Sequence, residues 1–178
     1  SDGESLLCYP ANRKAYGNLT QLLTLGRRRT TKGECLLELA DVADYSNGQH
    51  FILPFPQLLT ESAKTHIEQC ADLFRGNLHL ALTHSYRGDD KQWIRTVAGF
   101  ARSLSIPVVA TNNVLYHHPD RKMLQDVVTC IREKCTITEA GFRLDANAER
   151  HLKPPQEMAR LFEAWPDALD LMAARAQM

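Results

Sequence analysis

Four short apolar runs, separated by stretches of helical periodicity, limit what this chain can fold into. They are SLLCYP (5–10), HFILPFP (50–56), LHLALTH (78–84) and IPVVATN (106–112). Each is short, rich in Leu, Ile or Val, and closed by turn-forming or polar residues, as a buried strand would be. The last is almost continuously apolar, the pattern of a strand covered on both faces.

The spacers read as helices. Asn12 can cap a helix in which Ala15, Tyr16, Leu19, Leu22 and Leu23 recur at helical spacing, ending in GRRRTTKG (26–33). LLELADVADY (36–45) predicts a second helix and NGQ (47–49) a turn. Residues 57–75 predict an amphipathic helix with Leu58, Leu59, Ile67, Cys70, Ala71 and Phe74 on one side, stopped by Gly76 and Asn77. RGDD (87–90) offers a carboxylate cap to a helix carrying Trp93, Ile94, Val97, Ala98, Ala101 and Leu104. Pro119 suits the first turn of a further helix, with Met123, Leu124, Val127, Val128 and Ile131 as its buried stripe.

This order predicts an α/β fold with parallel strands joined by helical crossovers. In such folds function collects at the carboxyl ends of strands. Those ends are Tyr9-Pro10, Pro54-Phe55-Pro56, Thr83-His84 and Thr111 through His118. The pattern changes after Gly141. LDANAERHLKPP (144–155) is irregular, PP fixes the direction of exit, and short helices are expected at 156–164 and 167–176. Residues 1–142 are therefore expected to form the α/β body and 143–178 a helical extension.

Charge excludes some classes. The chain has 21 basic and 21 acidic residues, so no global field draws it to nucleic acid or a membrane. No apolar run approaches the roughly 20 residues that span a bilayer. Local contacts remain open. Arg27, Arg28, Arg29 and Lys32 can bind phosphates through charge and bidentate guanidinium contacts, with no interleaved aromatics to stack bases. The same cations would also stabilise a helix C-terminus. Arg121 and Lys122, just after a strand end, are a second candidate for phosphate or DNA contact. The five cysteines are odd in number and irregularly spaced, which predicts reduced thiols in a cytoplasmic protein and no structural zinc.

Three histidines stand near strand ends. His84 follows a strand directly and can point into a site or sit in a polar loop. His117 and His118 are adjacent, so on an extended chain they face opposite ways and cannot easily chelate one ion together. One of them can cap the helix that starts at Pro119 or meet a phosphate.

At VVATNNVLYHHPDRKMLQDVVTCIREKCTITEAG joined to NAERHLKPPQEMARLF, the sequence resembles the bacterial DNA polymerase III alpha subunits, above all their error-prone branch. YGNLTQLLTLGRRRTTKGE (16–34) and HSYRGDD (84–90) fit the same branch. The resemblance covers nearly the whole chain. It implies the PHP domain (polymerase and histidinol phosphatase domain) without its N-terminal part: a partial, distorted (βα) barrel with a metal site at its strand ends, followed by a helical passage toward the polymerase palm. A His-x-His motif would precede residue 1 and the palm aspartates would follow residue 178. The fragment alone is expected to be inactive within a DNA-directed DNA polymerase, a nucleotidyltransferase of replication and repair.

Metal-bearing members of that family end the last barrel strand in Thr-Asn-Asp-x-His, where Asp and His hold the ion. The matching positions here are Asn113, a neutral and weaker ligand, and Leu115, which cannot coordinate. A family cysteine after an earlier strand matches Pro54-Phe55, again without a ligand. The metal site is therefore expected to be degenerate, with no catalytic residue and no metal in this segment. His84, His117 and His118 are its only residual candidates. Magnesium would serve the parent polymerase, and zinc or manganese would bind only if the PHP site were intact. The expected partners are the rest of the polymerase chain, DNA through that parent, and other replication or repair proteins, with no membrane. Three roles follow: a non-catalytic scaffold, a metal-dependent phosphoesterase or proofreading nuclease, or a docking module for a repair partner.

Overall fold

A computed structural model describes residues 5–54 and 56–170. Strand β1 (Leu7–Pro10) leads to helix α1 (Arg13–Arg28) and the short helix α2 (Leu39–Asp44). Strand β2 (Gln49–Leu53), helix α3 (Glu61–Leu73), strand β3 (Leu78–Thr83), helix α4 (Asp90–Ser103) and strand β4 (Val108–Thr111) follow. A single 3-10 turn (Pro119–Arg121) opens helix α5 (Lys122–Glu133), then come α6 (Ile137–Ala140), a second 3-10 turn (Gly141–Arg143) and α7 (Pro155–Leu161). The mixed α/β reading therefore holds, and the four strands form an open sheet in the order β1-β2-β3-β4. Phe55 and the end of the helix expected at 167–176 lie outside the described residues.

Strands β2, β3 and β4 are parallel, joined through α3 and α4 as their crossovers require. The expectation that all strands are parallel fails at β1, which pairs antiparallel to β2 with Pro10 opposite Gln49. The reason is the helical pair between them. Asn12 caps α1 by accepting from Ala15 N–H at 3.0 Å. From Leu36, whose N–H reaches the Gly26 carbonyl, the chain runs back along α1 until Gly48 meets Ala11. It re-enters the sheet at the end it left. Two glycines permit this close return. A Cβ on Gly26 would lie 2.6 Å from Cys35 Sγ and 2.8 Å from Leu37, and Gly48, at φ +76°, would press 3.0 Å against the Ala15 Cβ. Buried Gln49 ties the corner, donating to the Ala15 carbonyl at 2.6 Å and accepting from the Cys8 thiol. As a result Tyr9 and Pro10 lie at the opposite end of the sheet from the carboxyl ends of β2 to β4, not in one shared mouth.

Strand β3 is buried at every position, as a central strand under α3 and α4 should be. Phe51, Leu80, Leu82, Ile67, Cys70, Ile94, Val97 and Ala101 form the core, with the Phe51 and Phe74 rings 4.3 Å apart. Burying each large aliphatic or aromatic side chain contributes about 1.5–3 kcal/mol. Helix α3 is shorter than expected because Thr60 caps it, accepting from Ala63 N–H. Leu58 precedes that cap and is exposed rather than core. Met158, Phe162 and Ala168 from the C-terminal stretch join the same core.

The expected buried stripe of α5 is the largest departure. Met123, Leu124, Val127, Val128 and Ile131 are all exposed, Ile131 by 72%. Thr129 and Cys130 are the residues of α5 that are buried. The periodicity was correctly helical, but β4 is the sheet edge among the described residues, so no next strand lies under that stripe.

Candidate functional site

The carboxyl ends of β3 and β4 open into a polar cleft of about 140 Å³. The two strands end in register at Thr83 and Thr111, whose hydroxyls are 2.9 Å apart. Past Thr83, the turn to α4 is held by Asp90. Its carboxylate accepts from the backbone N–H groups of Ser85 (2.7 Å), Arg87 (2.6 Å) and Gly88 (3.2 Å). The carboxylate expected to cap α4 thus organises the loop ahead of it, while Asp89 makes no side-chain cap bond. Burial pushes the Asp90 carboxyl up. The three N–H groups and nearby His84 outweigh burial and leave it below the ordinary carboxylate value.

His84 reaches this cleft. Its side chain is 12% exposed and Nδ1 lies 3.9 Å from Asp90 Oδ1. That nitrogen is buried without a hydrogen-bond partner among the described residues. The ring packs edge-on against Tyr86 with centroids 4.8 Å apart.

Past Thr111, the chain is zipped to a segment that looked irregular in the sequence. Asn112, nearly buried, donates from Nδ2 to the carbonyls of Glu149 (2.9 Å) and His151. Leu115 N–H donates to the Arg150 carbonyl at 2.9 Å, and Leu152 N–H to the Tyr116 carbonyl at 3.1 Å. Tyr116 and His151 form a parallel bridge. Arg150 closes the zipper: Nε donates to the Asn113 carbonyl at 2.9 Å and Nη1 pairs with Asp145 at 3.3 Å. Asn147 crosses to the other strand end, donating to the Ser85 carbonyl at 2.8 Å. Asn113 sits at φ +43°, a left-handed conformation that asparagine tolerates better than most residues.

A second latch continues along the connector. Tyr86 donates to Glu157 at 3.2 Å and accepts from Arg160 at 3.0 Å, and Arg160 pairs with Glu157 at 2.7 Å. Lys153 bonds Glu149 at 2.8 Å and lies 5.8 Å from the Tyr86 ring centre. The Arg160 guanidinium holds the Glu157 carboxyl down to about 2.

The other sequence candidates lie apart from these bonds. His118 starts the 3-10 turn, its Nδ1 accepting from Asp120 N–H at 3.4 Å, and His117 is exposed beside it. Lys122 pairs with Asp126 at 2.7 Å within α5, and Arg121 is exposed. In the basic cluster Arg29 is held by both oxygens of Asp41, while Arg27, Arg28 and Lys32 face solvent.

Neither Asn113 nor Leu115 offers an anionic or imidazole donor to the strand ends. Asn113 brings a neutral amide, Leu115 an alkyl chain 41% exposed, and Asp90 already accepts from three backbone N–H groups. Among the described residues no three His, Cys, Asp or Glu side chains converge on one point. The arrangement instead holds polypeptide. Asn112, Asn147 and Arg150 were missed from the sequence; Asn147 and Arg150, the amide and guanidinium donors of NAERH, were a signal for the connector, whereas nothing in TNN marks Asn112 as its anchor.

No protein-family model matches the chain. It is 49% identical over 166 residues to the error-prone DNA polymerase of Caulobacter vibrioides, covering 93% of this chain and 15% of that protein. It is 48% identical over 165 residues to the error-prone DNA polymerase of Rhodopseudomonas palustris (92% and 15%). Over 168 residues it is 42% identical to error-prone DNA polymerase 1 of Agrobacterium fabrum (94% and 15%). The chain thus spans about 15% of the length of the curated relatives it matches. No helix among the described residues is long and apolar enough to cross a membrane.

Proposed function

We infer that this chain, homologous along nearly all its length to one segment of the error-prone DNA polymerases, serves such a polymerase as a non-catalytic scaffold of PHP type. Its old metal site is degenerate at Asn113 and Leu115. The observation that carries this reading is the connector bonded over the strand ends: Arg150 and Asn112 bind backbone carbonyls where a metal site would need anionic and imidazole donors. A structural use of the cleft supplants a catalytic one.

In this reading nucleotidyl transfer, with its magnesium, belongs to the palm of the parent chain. The parent works in the cytoplasm on DNA replication and damage-tolerant repair synthesis. Residues 143–178 form the passage from the α/β body toward that palm, aimed by the Tyr86–Glu157–Arg160 latch. The exposed face of α5 supports the brace, since Leu124, Val128 and Ile131 recur at i, i+4 and i+7 and are all exposed on one side of the helix. The rest of the polymerase chain is its partner. Arg27, Arg28, Lys32 and Arg121 are exposed cations available to DNA held by the parent.

The test uses the full-length polymerase carrying Leu124→Asp with Ile131→Asp. A lowered melting temperature and reduced primer extension are expected, because both charges would be buried against the parent chain. Unchanged melting and extension would remove the bracing role.

A second reading rests on His84, whose buried Nδ1 has no hydrogen-bond partner among the described residues. It would be one ligand of a metal-dependent phosphoesterase or proofreading nuclease completed by residues outside this chain, with zinc or manganese activating water. If His84→Ala leaves metal content of the full-length protein unchanged, that reading fails.

A further inference from the structure

The last turn of α5 brings two cysteines together in a way the spacing alone does not announce. Lys134 adopts the left-handed conformation, at φ +52°. Its N–H reaches back to the Ile131 carbonyl at 3.3 Å, and Cys135 N–H reaches the Cys130 carbonyl at 3.0 Å. This is the Schellman ending of a helix, in which the residue two places past the cap packs on the residue three places inside it. Here those two residues are Cys135 and Cys130. The two cysteines therefore face each other across one backbone hydrogen bond. Both are free thiols, Cys130 buried and Cys135 half-exposed. They line one groove with Val127, Ile131 and Ile137.

We propose that Cys130 and Cys135 form a peroxide-sensitive dithiol, closing to a disulfide across the C-cap of α5. The half-exposed Cys135 meets the oxidant. Its sulfur attacks one peroxide oxygen, the O–O bond breaks, and a sulfenic acid and one water result. The Cys130 sulfur then attacks the sulfenic sulfur, the S–O bond breaks, and a second water leaves with the Cys130 proton. In sum two thiols lose two electrons and two protons, and one hydrogen peroxide becomes two waters. A dithiol reductant reverses the step by exchange. The backbone bond between these residues holds the two chain segments together at 3.0 Å, so the proposed disulfide would close across the C-cap without unwinding the helix. Burial raises the Cys130 thiol above its ordinary value, which suits the second, resolving role rather than the first attack. The crosslink does not depend on the scaffold reading. If that reading also holds, the switch sits beside the α5 face that meets the parent chain.

Trypsin makes the test direct, because Arg132 and Lys134 separate the two cysteines into peptides 123–132 and 135–143. The full-length polymerase is treated with a molar excess of hydrogen peroxide, enough to carry an unresolved thiol past sulfenic acid, then alkylated, digested and mapped by mass spectrometry. The expected result is the two peptides linked, lighter by two hydrogens than their sum, as the main form of both, and released by dithiothreitol. In Cys130→Ser, Cys135 should proceed to sulfinic acid, and in Cys135→Ser, Cys130 should stay free. Cys135 is half-exposed, so its serine variant keeps the fold and leaves the comparison intact. Sulfinic acid at Cys135 of the wild-type protein without linked peptides would overturn the proposal. So would oxidation confined to exposed Cys35, or a link from Cys135 to a cysteine other than Cys130.

Discussion

The Arg150 guanidinium donates to the main-chain carbonyl of Asn113 at 2.9 Å, joining the C-terminal connector to the end of β4. Both residues lie at the strand ends where α/β folds keep their chemistry, yet the bond between them is structural. Replacing Arg150 with Ala removes this bond and the Asp145 pair. A loss of about 1–2 kcal/mol is expected in denaturant unfolding. Arg150→Lys should recover little of it, because an ammonium cannot address both partners with a planar fork.

Asn112 is the stricter member of the zipper. Its amide serves two carbonyls from a nearly buried position. Asn112→Ala strips the His151 carbonyl of its donor and leaves the Glu149 carbonyl to Lys153 alone, and the expected loss is about 1–3 kcal/mol. Amide exchange at Leu115 and Leu152 should quicken in that variant, since their N–H groups belong to the same zipper.

Acid should loosen the β3–α4 turn. The folded-state Asp90 carboxyl lies below its ordinary value of 3.8, so the unfolded chain takes up the proton first. The stabilisation is complete above that value and is lost as pH falls through the lower, folded one. Glu157 behaves likewise between 4.5 and about 2. Thermal unfolding followed from pH 6 downward should show stability falling below about pH 4. Asp90→Asn should flatten that fall. An unaltered slope in the variant would contradict the assignment.

Packing predicts a contrast between two aliphatic deletions. Leu80 is fully buried in β3, and Leu80→Ala should cost about 2–5 kcal/mol. Ile131→Ala, on the open face of α5, should change stability of this segment by less than about 0.5 kcal/mol. Gly26→Ala should also destabilise, by about 1–3 kcal/mol, because the new methyl meets Cys35 and Leu37 at under 3 Å.

Much of the fold was legible because local rules decided it. Asn12 and Pro119 start helices as their chemistry demands, and the apolar run of β3 is a buried central strand. Three features depended on distant partners and were not legible. The direction of β1 follows from how closely residues 35–48 return along α1. The exposure of Val128 and Ile131 follows from what does not lie beside β4 among the described residues. The zipper of Asn112 and Arg150 joins residues nearly forty positions apart, and no periodicity records such a bond. The position of Asn113 and Leu115 just past the end of β4 could be read from the apolar run before them, but the polypeptide bonded to their backbone could not.

The central claim is that this cleft holds polypeptide in place of metal. Metal content of the purified full-length polymerase, measured by inductively coupled plasma mass spectrometry after dialysis, tests it most directly. The expected result is zinc and manganese well below one equivalent, with no change in His84→Ala. One equivalent of either metal, lost in His84→Ala together with a phosphoesterase or exonuclease activity, would contradict it.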